Sequence, residues 1–139
     1  MYDKILIAND GSQGAARALS AAIKLAKIHD AELHMICVEE MPRFPASIDE
    51  VIEEKEEANH LFDSVTRRAM AQAQAEGQKL KVHVVAGHPV STIAECVARE
   101  HFDLLVVGYM GHSMLYNRLI GSTSARLVEH APSAVLVVK

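Results

Sequence analysis

The chain has no tryptophan, and its 139 residues hold only three tyrosines and three phenylalanines. That is too little aromatic surface for a platform on which nucleic-acid bases could stack. A formal net charge of −4 points the same way, because a nucleic-acid surface needs an excess of lysine and arginine. Cysteine is scarce too: Cys37 and Cys96 stand far apart and form no CxxC pair, which suits a reducing cytoplasm better than a disulfide scaffold. No unbroken apolar run approaches the ~20 residues that a membrane span requires. Met1-Tyr2-Asp3-Lys4 leads straight into an apolar segment with no secretory leader in view, so a cytoplasmic location is expected. There are eight histidines, but no H-x3-H or H-E-x-x-H spacing that would mark a metal site; surface or capping roles are expected for most of them. Finally, there is no G-x-x-x-x-G-K-S/T segment, hence no P-loop lysine.

What is present is ordinary in amount and regular in order. Half of the residues are hydrophobic and 23% are charged, enough for one domain over residues 1–139 with a sizeable core. Short apolar runs alternate with stretches of helical periodicity. Strands are expected at Ile5–Ala8, Leu33–Val38, Leu80–Ala86, Phe102–Val107 and Ala134–Val138. Helices are expected from Gln13 to about Ile28, capped by Ser12; from Ile48 to about Glu76, stopped by Gly77; from Val90 to Glu100; and from Ser122 to His130. The first should bury Ala15, Leu19, Ala22, Ile23 and Ala26. The second should bury Ile48, Ile52, Phe62, Val65, Ala69 and Ala73. Glu39 to Ser47, with Pro42 and Pro45, reads as a loop. The charge run from Asp49 to Glu57 reads as a solvated helix face.

Strands alternating with helices imply an α/β fold: a five-stranded parallel sheet with helices on both faces, flavodoxin-like in the order 3-2-1-4-5. In such a sheet ligands bind beyond the carboxyl ends of the strands, where the order reverses between strands 1 and 4. Asp10 and Gly108 are therefore expected to face each other across one crevice, with Val38 and Gly87 on the same rim.

The sharpest signal sits at that rim. Gly108-Tyr109-Met110-Gly111 is followed, after nine residues, by Gly121-Ser122-Thr123-Ser124. An apolar run, Leu104 to Val107, precedes it and a helical stretch follows it. Glycine lets backbone approach a ligand closely, and a helix N-terminus offers unpaired N–H groups and a field that favours anions. This is a phosphate cradle without a lysine. A loop of this length between strand and helix is usually functional. Its own cationic groups are only Arg118 and, when protonated, His112. Charge compensation by Mg2+, held between phosphate oxygens and the Asp10 carboxylate, would fill the gap.

The spacing G-x-x-G-x9-G-S/T closely resembles the nucleotide-binding signature of the universal stress protein family. Lys4-Ile5-Leu6-Ile7-Ala8-Asn9-Asp10-Gly11-Ser12 resembles that family's first strand and turn, Gly87-His88-Pro89 its G-x-P turn, and His130 to Val138 its final segment. The likeness spans the chain and is weakest from Met41 to about Lys79. It implies the ATP-binding branch of the family, with Gly108, Gly111, Gly121, Ser122, Thr123 and Ser124 around the phosphates and His112 inside the same loop. It further implies Val38 against the adenine, and Asp10 and Gly87 near the ribose or a metal. Asn9 stands where the family more often has a small or apolar residue, and would add a polar contact.

The function expected is thus an ATP-binding regulator of a partner protein, such as a transporter or a signalling protein, or of a stress response. Slow ATP hydrolysis or phosphotransfer is the alternative within the same site; a structural dimeric module without nucleotide is the alternative outside it. Efficient catalysis is not expected, because no catalytic carboxylate pair is evident at the loop. A flavin protein would bring aromatic residues to the ring, and a receiver domain an aspartate where this chain has Val85-Ala86-Gly87. The last strand, Ala134–Val138, should be an apolar sheet edge blunted only by Lys139. That invites a two-fold homodimer, which the resemblance also implies, along with higher assemblies.

Overall fold

Alternate residues of a strand face opposite sides of a sheet, so strands that are apolar at every position must be covered on both faces. That is the arrangement in the computed structural model, which describes residues 1–40, 48–110 and 121–139; within the second helix, the side chains of residues 51, 54, 55 and 57–59 fall outside the description. Five parallel strands, β1 (Lys4–Ala8), β2 (Glu32–Glu40), β3 (Lys81–Gly87), β4 (Leu104–Gly108) and β5 (Ala134–Val138), stand in the order β3-β2-β1-β4-β5. The helices are α1 (Gln13–His29), α2 (Ile48–Ala75), α3 (Pro89–Glu100) and α4 (Ser122–His130).

On one face Ile5, Ile7, Met35, Cys37, Leu104 and Val106 pack under α1 and α2. On the other, Leu6, Ile36, Leu105 and Val107 pack under Ile93 and Val97 of α3 and Leu127 of α4. The register seats Ile7 between Met35 and Val106. Burying each such side chain stabilises the fold by about 1.5–3 kcal/mol. Burial pushes the Cys37 thiol up to about 12, with the Asp10 carboxylate acting in the same direction.

The helix ends follow local chemistry. The Ser12 hydroxyl accepts the Ala15 N–H at 3.1 Å, as an N-cap should. Pro89 occupies the first turn of α3, where its missing N–H costs nothing. After α2 the chain turns at Gly77, and the Gln78 N–H closes back on the Ala73 carbonyl at 2.9 Å.

Three expectations need correction. The strand ending at Val38 continues to Glu40, because Glu39 and Glu40 pair with Ala86 and Gly87 of β3. Phe102 precedes β4 rather than opening it; its N–H closes on the Val97 carbonyl at the end of α3. The apolar face of α2 is buried at Phe62, Ala69 and Ala73, but Ile48 is 78% exposed and Ile52 49%. The reason is length. The 28 residues of α2 span about 42 Å, whereas the nine of β2 span about 30 Å, so the first turns overhang the carboxyl edge of the sheet.

The histidines are not uniformly superficial either. His34 is buried on β2, with its Nδ1 2.8 Å from Nε2 of His83 on β3 and its ring edge-on to Phe102. Its Nε2 makes no hydrogen bond and lies 3.7 Å from a Glu32 carboxylate oxygen. Burial holds the His34 imidazole below its ordinary 6.5; the neighbouring His83, and less so Lys4 and Lys81, act in the same sense against the opposing pull of Glu32. Between that lowered value and 6.5 the unfolded chain takes up a proton that the folded chain refuses, so stability falls as pH drops below about 6.5. The urea midpoint should therefore be lower at pH 5.5 than at 7.5, and His34→Leu should flatten that difference. An unchanged wild-type midpoint would refute the assignment.

Candidate functional site

The polypeptide leaves β1 for α1 on one face of the sheet and leaves β4 for α4 on the other. Between these neighbouring strands the departing segments diverge and open a crevice. A cavity of about 370 Å3 occupies it, within the size range of small-molecule sites.

Its lining mixes two chemistries. Apolar side chains come from Val38 of β2, Leu61 and Phe62 of α2, Ile93 of α3 and Leu127 of α4. Glycine backbone and hydroxyls come from Gly108 at the end of β4 and from Gly121, Ser122, Thr123 and Ser124 at the start of α4. Gly121 is the N-cap and has no side chain to cap the first N–H groups of α4. Ser122 and Thr123 are exposed, whereas Gly121 and Ser124 are buried. Three carboxylates, Asp10, Glu39 and Glu40, also line the cavity, and among the described lining residues there is no lysine, arginine or histidine.

Sequence reasoning placed Asp10, Val38, Gly108, Gly121, Ser122, Thr123 and Ser124 at one rim, and all seven line this one cavity. Gly87 is not among its described lining residues. Its φ is 153°, and a Cβ there would strike the Thr92 hydroxyl of α3, so glycine at this position serves the turn between β3 and α3. Gly111 and His112 lie outside the described residues, as do Arg118 and the Pro42–Pro45 loop.

Asn9 lines the cavity and also serves the turn beside it. It is buried, its carbonyl oxygen accepts the Gly11 N–H at 2.9 Å, and its amide nitrogen lies 3.3 Å from the Met35 sulfur. Both ends of the amide are used to hold the turn that presents Asp10, whose own carboxylate accepts the Ser12 N–H at 3.0 Å. Leu61, Phe62, Glu39 and Glu40 were not anticipated as lining residues. Nothing in a helical apolar period distinguishes a side chain that meets the sheet from one that overhangs a cavity.

Gly108 also has a different reason for being glycine. A Cβ there would lie 2.7 Å from the Gly14 carbonyl carbon, and a Cβ at Gly14 would run into the Met110 carbonyl oxygen. The backbones of α1 and of the segment leaving β4 touch directly, which brings the loop entrance over the first turn of α1.

Comparison with other proteins agrees with this geometry. The family model described as the universal stress protein family matches residues 1–139. A universal stress protein of Methanocaldococcus jannaschii is 34% identical over 145 residues, covering 100% of this chain and 83% of its own. Among solved structures, universal stress protein UspA from Lactobacillus plantarum superposes with a TM-score of 0.89 at 28% identity, covering 99% of this chain and 98% of its own. A universal stress protein in complex with cAMP superposes with a TM-score of 0.78 at 27% identity, covering 99% and 97%. With a family match over its whole length and an identity above 30% to a relative that the chain covers to 83%, the chain belongs to the universal stress protein family.

Proposed function

We propose that this protein is a nucleotide-dependent regulator that binds ATP with Mg2+ in the crevice between β1 and β4. The observation that carries the reading is one cavity lined both by apolar side chains and by glycine backbone, hydroxyls and a helix N-terminus. The apolar lining, with Val38 and Phe62, suits adenine. The start of α4, at Gly121, Ser122 and Thr123, suits phosphate. The complex of a similar protein with cAMP supports an adenine nucleotide.

The donor set fits a hard divalent cation only in part, which is why the phosphates belong in the argument. Among the described residues no cluster of three or more His, Cys, Asp or Glu could hold a metal alone. Asp10, which lines the cavity with Ser122 and Thr123, would share the ion with phosphate oxygens. The ion would supply the positive charge that the described lining lacks.

Slow hydrolysis is the second reading, because Asp10 and Glu39 bring carboxylates into the cavity that could orient a water. We take occupancy rather than turnover as the signal. The readout of occupancy would be assembly or partner contact in the cytoplasm. β5 is a sheet edge with Leu136 exposed, and Val128 of α4 is exposed as well; both suit a homodimer formed through Ala134–Val138.

Calorimetry with Mg-ATP on the wild type and on Gly121→Val tests the site. Saturable binding is expected in the wild type and a loss of at least about 30-fold in the variant, equivalent to roughly 2 kcal/mol, with an unchanged circular dichroism spectrum. A wild type that does not bind would overturn the nucleotide reading.

A further inference from the structure

The two ends of the segment between β4 and α4 are tied together by side-chain and main-chain bonds of different kinds. The Tyr109 carbonyl accepts the Gly121 N–H at 2.8 Å, and the Tyr109 N–H donates to the Val138 carbonyl at 2.8 Å. The Ser124 hydroxyl donates to the Gly108 carbonyl at 2.6 Å, from a side chain that is 9% exposed. Gly108 in turn is held against the backbone of Gly14 and Ala15. The N-terminus of α4 is thus fastened by the Ser124 hydroxyl to Gly108, the last residue of β4, and by one backbone bond to Tyr109, the residue after it.

A serine hydroxyl has a single proton to donate. While that proton is on Gly108 it is not available to a phosphate oxygen, so Ser124 differs from the exposed Ser122 and Thr123 two and one residues before it. Because α4 begins at Ser122, a bond from Ser124 to the strand end fixes both the distance and the rotation of the first helical turn relative to β4.

We infer that Ser124 is a positioning residue: its hydroxyl sets the spacing between the end of β4 and the N-terminus of α4, so that the first N–H groups of that helix face the cavity before ligand arrives. The inference rests on the nucleotide reading above for its consequence, and on the hydrogen bond alone for its mechanism. Holding the donors in place in advance removes an ordering cost from binding.

The test compares wild type, Ser124→Ala, Ser124→Thr and Ser122→Ala by two measurements: amide hydrogen exchange at Tyr109 and Gly121 in the nucleotide-free protein, and Mg-ATP affinity. Ser124→Ala should speed exchange at the Gly121 amide about tenfold and weaken Mg-ATP about tenfold, and Ser124→Thr, which keeps the hydroxyl, should restore both. Ser122→Ala should weaken Mg-ATP while leaving exchange unchanged. Weaker binding by Ser124→Ala with unchanged nucleotide-free exchange would overturn the inference in favour of direct ligand contact. Faster exchange with unchanged affinity would overturn it in favour of a purely structural bond. Should the wild type fail to bind Mg-ATP, the nucleotide reading falls, and with it the consequence for affinity, while the exchange comparison still decides whether the hydroxyl sets the spacing.

Discussion

Gly14→Ala should destabilise the protein by about 2 kcal/mol, and Gly14→Val by more, although alanine is the better helix former. Helix propensity alone predicts the opposite sign, a gain of about 0.5–1 kcal/mol for replacing glycine within α1. The added Cβ, however, would meet the Met110 carbonyl oxygen at less than the 3.0 Å that such contacts tolerate. The obstacle is backbone, so no rotamer change relieves it. Nor can α1 draw back without lifting Ala15, Ala18, Leu19 and Ala22 out of the core, where all four are buried. Overpacking of this kind costs about 1–3 kcal/mol or more. Urea unfolding midpoints decide the matter, and a Gly14→Ala variant as stable as wild type would show that the contact yields easily. Gly108→Ala meets the same interface from the other side, with its Cβ 2.7 Å from the Gly14 carbonyl carbon. Once one substitution has parted the two backbones, the second should cost less than it does alone, so the double variant should fall short of the sum of the singles.

Removing magnesium should weaken ATP binding by about 30-fold or more while leaving adenosine affinity unchanged. Asp10, Glu39 and Glu40 all line the cavity, and no described lining residue carries positive charge. At an effective dielectric of ~20, a carboxylate roughly 8 Å from a phosphate charge opposes it by about 2 kcal/mol. A divalent ion reverses the sign of that interaction. The consequence separates the carboxylates by role. Glu39→Gln should raise ATP affinity in the presence of a chelator, because it removes repulsion only. Asp10→Asn should raise it in the chelator and lower it with magnesium, because the same carboxylate would be lost as a ligand. Calorimetry in the two buffers reads both effects, and ATP affinity that is indifferent to magnesium would rule out the shared ion.

These two predictions draw on different layers of information. The expected magnesium dependence is within reach of the sequence, since the glycine-rich spacing and the missing P-loop lysine are visible in one dimension; the structure adds Glu39 and Glu40 to Asp10 in the cavity lining. The Gly14 effect was not within reach. Gly108 reads in the sequence as a phosphate glycine and nothing there pairs it with Gly14, because their contact spans a long stretch of chain and exists only once β4 lies beside β1.

The chain by itself determined the alternation of strand and helix, the sheet order, the helix start at Ser12 and the helix stop at Gly77, and the gathering of Asp10, Val38, Gly108 and Gly121–Ser124 at one edge. Each of these follows from periodicity, capping and turn chemistry that act over a few residues, together with the topological rule for parallel sheets. The tertiary structure alone decided the pairing of His34 with His83, the use of the Asn9 amide to hold its own turn, the hydroxyl of Ser124 on Gly108, and the presence of Leu61 and Phe62 over the cavity. Those depend on strand register and on how far a 28-residue helix overhangs its sheet. Such quantities are set by packing among residues distant in the chain, which no local pattern encodes.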